Sequence, residues 1–177
     1  TYTAREINVD VELKSLNSPL NLDGDLIFQN EPVSLDLAID TLAALRDGKA
    51  ADINMKARVA ETVLDFNANT QDGDKLSYAG DLNLTAPSVR KLMAWLGQPV
   101  QGTGGFERLE ISGDVTGGED TVAFEKASFQ FDEIKGEGAV RVDMSGARPS
   151  ISGAVTVDSL DLRPYETAEP TKVDDGG

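Results

Sequence analysis

The sequence predicts a mainly β chain of about ten mostly antiparallel strands, arranged as a curled sheet or a sandwich-like groove. Three observations predict it. Apolar residues recur at every second position through most of the 177 residues, which is the period of a strand with one dry and one wet face. Short segments rich in Gly, Pro, Asp and Asn punctuate these runs, as strand-to-strand turns do. Only one stretch, about residues 87–96, has a convincing helical period.

Arg5 to Leu13 alternates Ile7, Val9, Val11 and Leu13 with Glu6, Asn8, Asp10 and Glu12. Leu20, Leu22, Leu26 and Phe28 share the dry face of the next run, with Gly24 in phase. Val33, Leu35, Leu37 and Ile39 follow, and Pro32 is expected at the strand start, where no ladder N–H is needed. Leu42 to Gly48 reads as one helical turn closed by glycine. Ile53, Met55 and Val59, then Leu64 and Phe66, mark two further strands. Asp72-Gly73 is expected to supply a positive φ in a hairpin turn. Leu76, Tyr78, Leu82 and Leu84 come next, with Gly80 in phase.

In the helix, Pro87 is expected at the first position and Gly97 just past the end. Val89, Leu92, Met93 and Leu96 share a face, and Trp95 lies off that stripe. Residues 97–105 form a Gly-rich connector and a candidate internal boundary. Leu109, Ile111 and Val115 then alternate, with Gly113 in phase and a turn expected at Gly117-Gly118. In Thr121–Phe131 the apolar phase flips at Glu125-Lys126, which predicts a bulge. The last two strands carry Val140, Val142 and Met144, then Ile151, Val155 and Val157. They are joined by a Gly146-Ala147-Arg148-Pro149 turn. Glycines 136, 138 and 153 again fall on the dry phase. Residues 1–165 therefore read as one β-domain, and the acidic stretch 166–177 as a flexible tail.

Consecutive strands joined by short turns are antiparallel neighbours, each sheet keeping one solvated face. Two dry faces closing on each other would make a sandwich. A single curled sheet would instead leave an open apolar groove. The six in-phase glycines, Gly24, Gly80, Gly113, Gly136, Gly138 and Gly153, favour the curl. A glycine in a strand marks a tight bend or a close approach by another backbone or a ligand. These glycines are expected to line the inside of the curve.

Composition excludes several functions. Asp plus Glu outnumber Lys plus Arg by 31 to 16, a net charge of −15, which argues against nucleic acid and against anionic lipid surfaces. There is no Cys and no His, so thiol chemistry, tetrahedral zinc and imidazole acid–base catalysis are unavailable. No cofactor or metal is expected. Asp23/Asp25, Asp72/Asp74 and Asp132/Glu133 are paired carboxylates, the residue type that cleaves glycosidic bonds. Asp23 and Asp25 fall on the wet phase of a strand, Asp72 and Asp74 flank a turn glycine, and all three pairs read as solvated, so the chain is not expected to be an enzyme. Asn83-Leu84-Thr85 matches a glycosylation sequon within a predicted strand. No apolar run is long enough to span a membrane. The chain opens inside a strand, which reads as a fragment of a longer protein.

The helix PSVRKLMAWLG (87–97), the Gly-rich connector, SFQFDEIKGEGAVRVDMSGARPSISGAVTVDSLDL (128–162) and the closing Arg163-Pro164-Tyr165 occur in one order. That order, from about Leu76 to Tyr165, resembles the C-terminal region of the AsmA family. These are Gram-negative envelope proteins anchored in the inner membrane and extending into the periplasm. The resemblance implies a non-enzymatic periplasmic domain acting in outer-membrane biogenesis, with its membrane anchor outside this stretch. Related bridge-like proteins carry phospholipid between membranes along an apolar β-groove. On that reading the partners are phospholipid acyl chains and other envelope proteins. The candidate groove is Leu20, Leu22, Leu26, Phe28, Val33, Leu35, Leu37, Ile39, Val140, Val142 and Met144. The alternative is a closed sandwich serving as an interaction or scaffold module of the envelope without lipid.

Overall fold

A computed structural model describes residues 3–102, 104–146 and 148–165. The acidic stretch 166–177 lies outside the described residues. The strands are β1 (Ala4–Glu12), β2 (Leu20–Phe28), β3 (Glu31–Ile39), β4 (Asp52–Val59), β5 (Thr62–Thr70) and β6 (Ser77–Ala86). They continue as β7 (Leu109–Gly118), β8 (Thr121–Phe131), β9 (Ile134–Asp143) and β10 (Ser150–Val157). Two helices interrupt them, α1 (Leu42–Arg46) and α2 (Val89–Trp95). All ten strands form one antiparallel sheet in the order of the sequence, and the sheet is not closed. The fold is therefore a single open sheet rather than two packed sheets. At a spacing of roughly 4.8 Å, ten strands span about 43 Å across the sheet.

Turn chemistry differs from the sequence expectation in several places. The two-residue turns Gln29-Asn30 and Ala60-Glu61 hold both residues at positive φ, between 47° and 67°. This is the primed hairpin geometry, and it matches the right-handed twist of the flanking strands. Asn and Gly are its usual signals, so Gln29, Ala60 and Glu61 concealed it. Gly73, in contrast, is not among the positive-φ glycines. Its N–H instead donates to Gly48 O at 2.9 Å, and Gly48 itself sits at φ +63. Gly117 and Gly118 belong to β7, and the turn falls on Glu119-Asp120. Pro32 lies second in β3, paired with Ile27. The bulge in β8 is present: Phe124 pairs with Val140, Ala127 pairs with Gly138, and Lys126 adopts φ 51.

Helix α2 starts two residues later than expected. Ser88, not Pro87, caps it, its Oγ accepting the Lys91 N–H at 3.3 Å. Gly97, at φ +77, follows the last helical turn. Val89 is buried, whereas Leu96 is exposed and does not join the covered face. Trp95 packs edge-on against Phe28, and its Nε1–H donates to Phe28 O at 3.1 Å. Lys91 reaches Glu61 at 2.7 Å. The helix is thus fixed to the turn ends of β2–β3 and β4–β5.

The Gly-rich connector is folded around one side chain. Arg90 donates to four of its carbonyls, those of Val100, Gly102, Gly104 and Gly105, at 2.8 to 3.3 Å. On either side of the connector, β6 and β7 pair with each other from Ser77↔Gly118 to Ala86↔Leu109. The sheet therefore runs without interruption through this point. Beyond β10, Tyr165 stacks on Phe131 and meets Phe106 edge-on. Its hydroxyl donates to Asp132 Oδ2 at 2.8 Å.

Candidate functional site

Strand register gathers the apolar residues into continuous cross-strand rows. One row runs Val11, Leu22, Leu37, Met55, Phe66, Leu82 and Gly113 from β1 to β7. It continues through Ala127, Gly138 and Val155 on β8, β9 and β10. A second row runs Val9, Gly24, Leu35, Ala57, Leu64, Leu84, Ile111, Phe129, Gly136 and Val157. A third runs Leu20, Ile39, Ile53, Ala68, Gly80, Val115, Phe124, Val140 and Gly153 from β2 to β10. None of the three rows contains a charged or polar side chain. Alternation along each strand places every one of these residues on the same face.

The groove residues named from the sequence fall on this face, though not as one cluster. Leu20, Leu22, Leu35, Leu37 and Ile39 occupy the β2–β3 side, with Leu26 facing Val33 beyond them. Phe28 closes that side against Trp95. Val140 and Val142 lie on β9, on the far side of the sheet, and Met144 just past it is exposed. Between the two groups stand residues that the stripe-by-stripe reading left out, including Met55, Phe66, Leu82, Val115, Ile111 and Phe129. Each is visible as a dry position in its own strand. Only the pairing register shows that they bridge the two groups.

Glycines let the backbones approach on this face. A Cβ on Gly80 would lie 2.6 Å from Ala68 Cα and 2.8 Å from Ala68 Cβ. One on Gly113 would lie 2.8 Å from Ala127 Cα and 3.2 Å from its Cβ. Facing Cβ atoms in a flat antiparallel pair are about 4.5–5.5 Å apart. At these two pairs the facing backbones leave no room for a side chain on the glycine. Gly136, Gly138 and Gly153 likewise meet the facing strand's backbone, whereas Gly24 has its nearest neighbour, Val9 Cγ2, at 3.5 Å. Mid-sheet, Val115 is 1% exposed. Large apolar exposure instead concentrates at the two edges, with Ile7 at 61% beside β2 and Ile151 at 75% on β10. One hydroxyl on this face, Thr62 Oγ1, is buried without a hydrogen-bond partner.

The opposite face is polar and holds two broad depressions. One, of about 610 Å³, spans β1 to β5 and includes Asp10, Asp23, Asp36, Lys56 and Asp65. A twisted sheet is saddle-shaped, so each face is hollow along one diagonal. Here Asp10 faces Asp23 and Asp23 faces Asp36 in register. Hydrogen bonding between the Asp23 and Asp36 carboxyls, then burial and repulsion, raise the Asp23 pKa above its ordinary value. The raised folded-state pKa means the pair is tolerated at low pH and opposes folding once both are ionised. Asp23→Asn should therefore raise the thermal midpoint at neutral pH and leave it unchanged near pH 3. Equal midpoints at both pH values would show that the carboxylates do not interact. Lys56 relieves part of this row by pairing with Asp65 at 2.9 Å. The second depression, about 460 Å³, is lined by Ser112, Ser128, Gln130, Lys135 and Glu137 among others.

Among the described residues no group of three or more acids is arranged to hold a metal ion. No described helix is long and apolar enough to cross a membrane. Comparison with protein-family models, with curated proteins and with solved structures finds no match for the chain.

Proposed function

We propose that this chain is a non-enzymatic, AsmA-like β-domain whose apolar face receives phospholipid acyl chains. It acts in the periplasm, in outer-membrane biogenesis, within a longer protein anchored in the inner membrane. The observation that carries this reading is the set of three uncharged cross-strand rows. They extend over nine or ten strands of one open sheet, and the described residues form no second sheet. Water against such a face is unfavourable by about 25 cal/mol per Å² of apolar area. Exposed apolar patches on soluble monomers rarely exceed a few hundred Å². Methylene chains laid across the strands would meet only apolar side chains and need no polar partner. The helix α2 and α1, at opposite strand ends, leave the two sheet edges as the open ends of such a path. The wet face carries the acids and keeps the domain dispersed in water.

Site-specific photocrosslinking tests the reading. A benzophenone side chain at Leu37 or Leu82, on the apolar face, is expected to capture phospholipid in Gram-negative cells. The same group at Asp36 or Asn83, on the polar face, is expected to capture none. Equal labelling of both faces, or no lipid on either together with lipid-free purified protein, would overturn the proposal.

A further inference from the structure

The two edges of the sheet are built differently. Edge strands are ordinarily protected by charges, prolines or bulges that prevent pairing with another chain. Strand β1 carries Arg5, Glu6, Asp10 and Glu12, and its register shifts between Arg5 and Asn8, where Glu6 adopts φ 53. Strand β10, SISGAVTV, has no charged residue and no proline. It pairs with β9 without a register shift from Ser150↔Asp143 to Val157↔Gly136.

The free backbone groups of β10 can be assigned. The Asp158 N–H donates to Lys135 O on β9 at 3.0 Å. Backbone groups alternate sides along a strand, so the even-numbered residues bond inward. Ile151, Gly153, Val155 and Val157 therefore direct their N–H and C=O groups outward, and these same four residues carry the apolar phase. Among the described residues β10 is exposed along its whole length, and the chain after it turns back to seat Tyr165 on Phe131 and Asp132.

We propose that β10 is a self-association edge, pairing antiparallel with β10 of a second copy about a two-fold axis through Ala154. In this register Ile151 faces the partner's Val157, and Gly153 faces the partner's Val155. Outward groups meet outward groups, so apolar phase meets apolar phase and the uncharged rows continue from one copy into the other. On the polar face Ser152 meets the partner's Thr156, and no like charges are opposed. A second copy is the occupant the charge pattern selects. Each chain has a net charge of −15, so contact falls where charge is absent. Joining β10 to β1 of another copy would bring in the bulge and its acids. It would also leave an unpaired β10 at one end of every open row, whereas the two-fold arrangement closes. The inference does not depend on lipid binding and survives its failure.

Cysteine crosslinking tests it, because the chain has no Cys of its own. Ala154 bonds inward, so across the axis it forms a non-hydrogen-bonded pair with Cα atoms about 4.5 Å apart, within disulfide range. Ala154→Cys is expected to oxidise to a covalent dimer, and a cysteine at Asp10 on β1 is not. By sedimentation velocity the unmodified chain is expected to dimerise. Val155→Pro removes an outward donor only, and Ser152→Lys with Thr156→Lys opposes like charges. Each is expected to weaken dimerisation at least tenfold with the far-ultraviolet circular dichroism unchanged. If Val155→Pro does not fold, the double lysine variant decides. The proposal is overturned by a monomeric unmodified chain, by Ala154→Cys that stays monomeric on oxidation, or by folded variants that dimerise as tightly as the parent.

Discussion

Gly80→Val is expected to destabilise the domain by about 3 kcal/mol or more, the upper end of the usual cost of overpacking a core. For a chain of this size that corresponds to a thermal midpoint roughly 6–12 °C lower. The first added carbon would already sit 2.6 Å from Ala68 Cα. That obstacle is backbone, held on both sides by ladder hydrogen bonds, so it cannot swing aside as a flexible side chain would. Relief requires the β5–β6 pair to open, which breaks the row through Val115 as well. Gly24→Ala is the matched control, since its nearest neighbour is a side-chain methyl at 3.5 Å. That variant is expected to be neutral or slightly stabilising, because Ala restricts the unfolded chain more than Gly. Urea denaturation measures both. A Gly80→Val protein that unfolds within a degree or two of the parent would show that the backbones do not approach as described.

Asp132→Ala carries the second large effect, with an expected loss of about 2–3 kcal/mol, as for removing hydrogen bonds to a charged group. One carboxylate oxygen accepts the Glu107 and Arg108 N–H groups at 2.8 and 2.9 Å, and the other accepts the Tyr165 hydroxyl at 2.8 Å. Asp132 also sits at φ 51, a conformation that Asn and Asp tolerate better than Ala. Asp132→Asn should therefore be milder. A spectroscopic readout separates this latch from general damage. Burial first, then the hydrogen bond to Asp132, push the Tyr165 phenol up to about 12 from 10.0. A folded-state pKa above the unfolded one gives stability that is present below pH 10 and lost as pH rises through 12. The parent should lose stability across that window, and Asp132→Ala should lose less of it. Phenolate absorbance that rises at the same pH in both proteins would contradict the latch.

Much of this fold was legible because period-two alternation is local. β2 and β8 have the bounds their alternation implies, and the phase flip at Glu125-Lys126 marks a bulge in the structure. Turns were less legible where side chains gave no cue: Ala60 and Glu61 adopt left-handed backbone that their neighbours impose. Arg90's hold on the connector was invisible for a similar reason, since carbonyl acceptors leave no trace in a sequence. For the candidate site, each dry stripe could be seen but not its partner. Leu37 and Met55 become neighbours only through a register that depends on where each turn falls. The facing acids Asp10, Asp23 and Asp36 were hidden in the same way, as three isolated wet positions on three strands.

The strictly sequential strand order has a consequence for how the chain folds and loosens. Every strand bonds only to its predecessor and successor, so the molecule is nearly one-dimensional, like a repeat protein. A hairpin can form anywhere and recruit the next strand without first closing a long loop, which favours rapid folding. Loss of order proceeds the same way in reverse. Within a single copy β1 and β10 each have one neighbour and peel away singly, while β6 or β7 is released only after its flanking strands have gone. The hierarchy of local opening is thus written along the chain itself, highest resistance at mid-sequence and least at the two ends of the sheet.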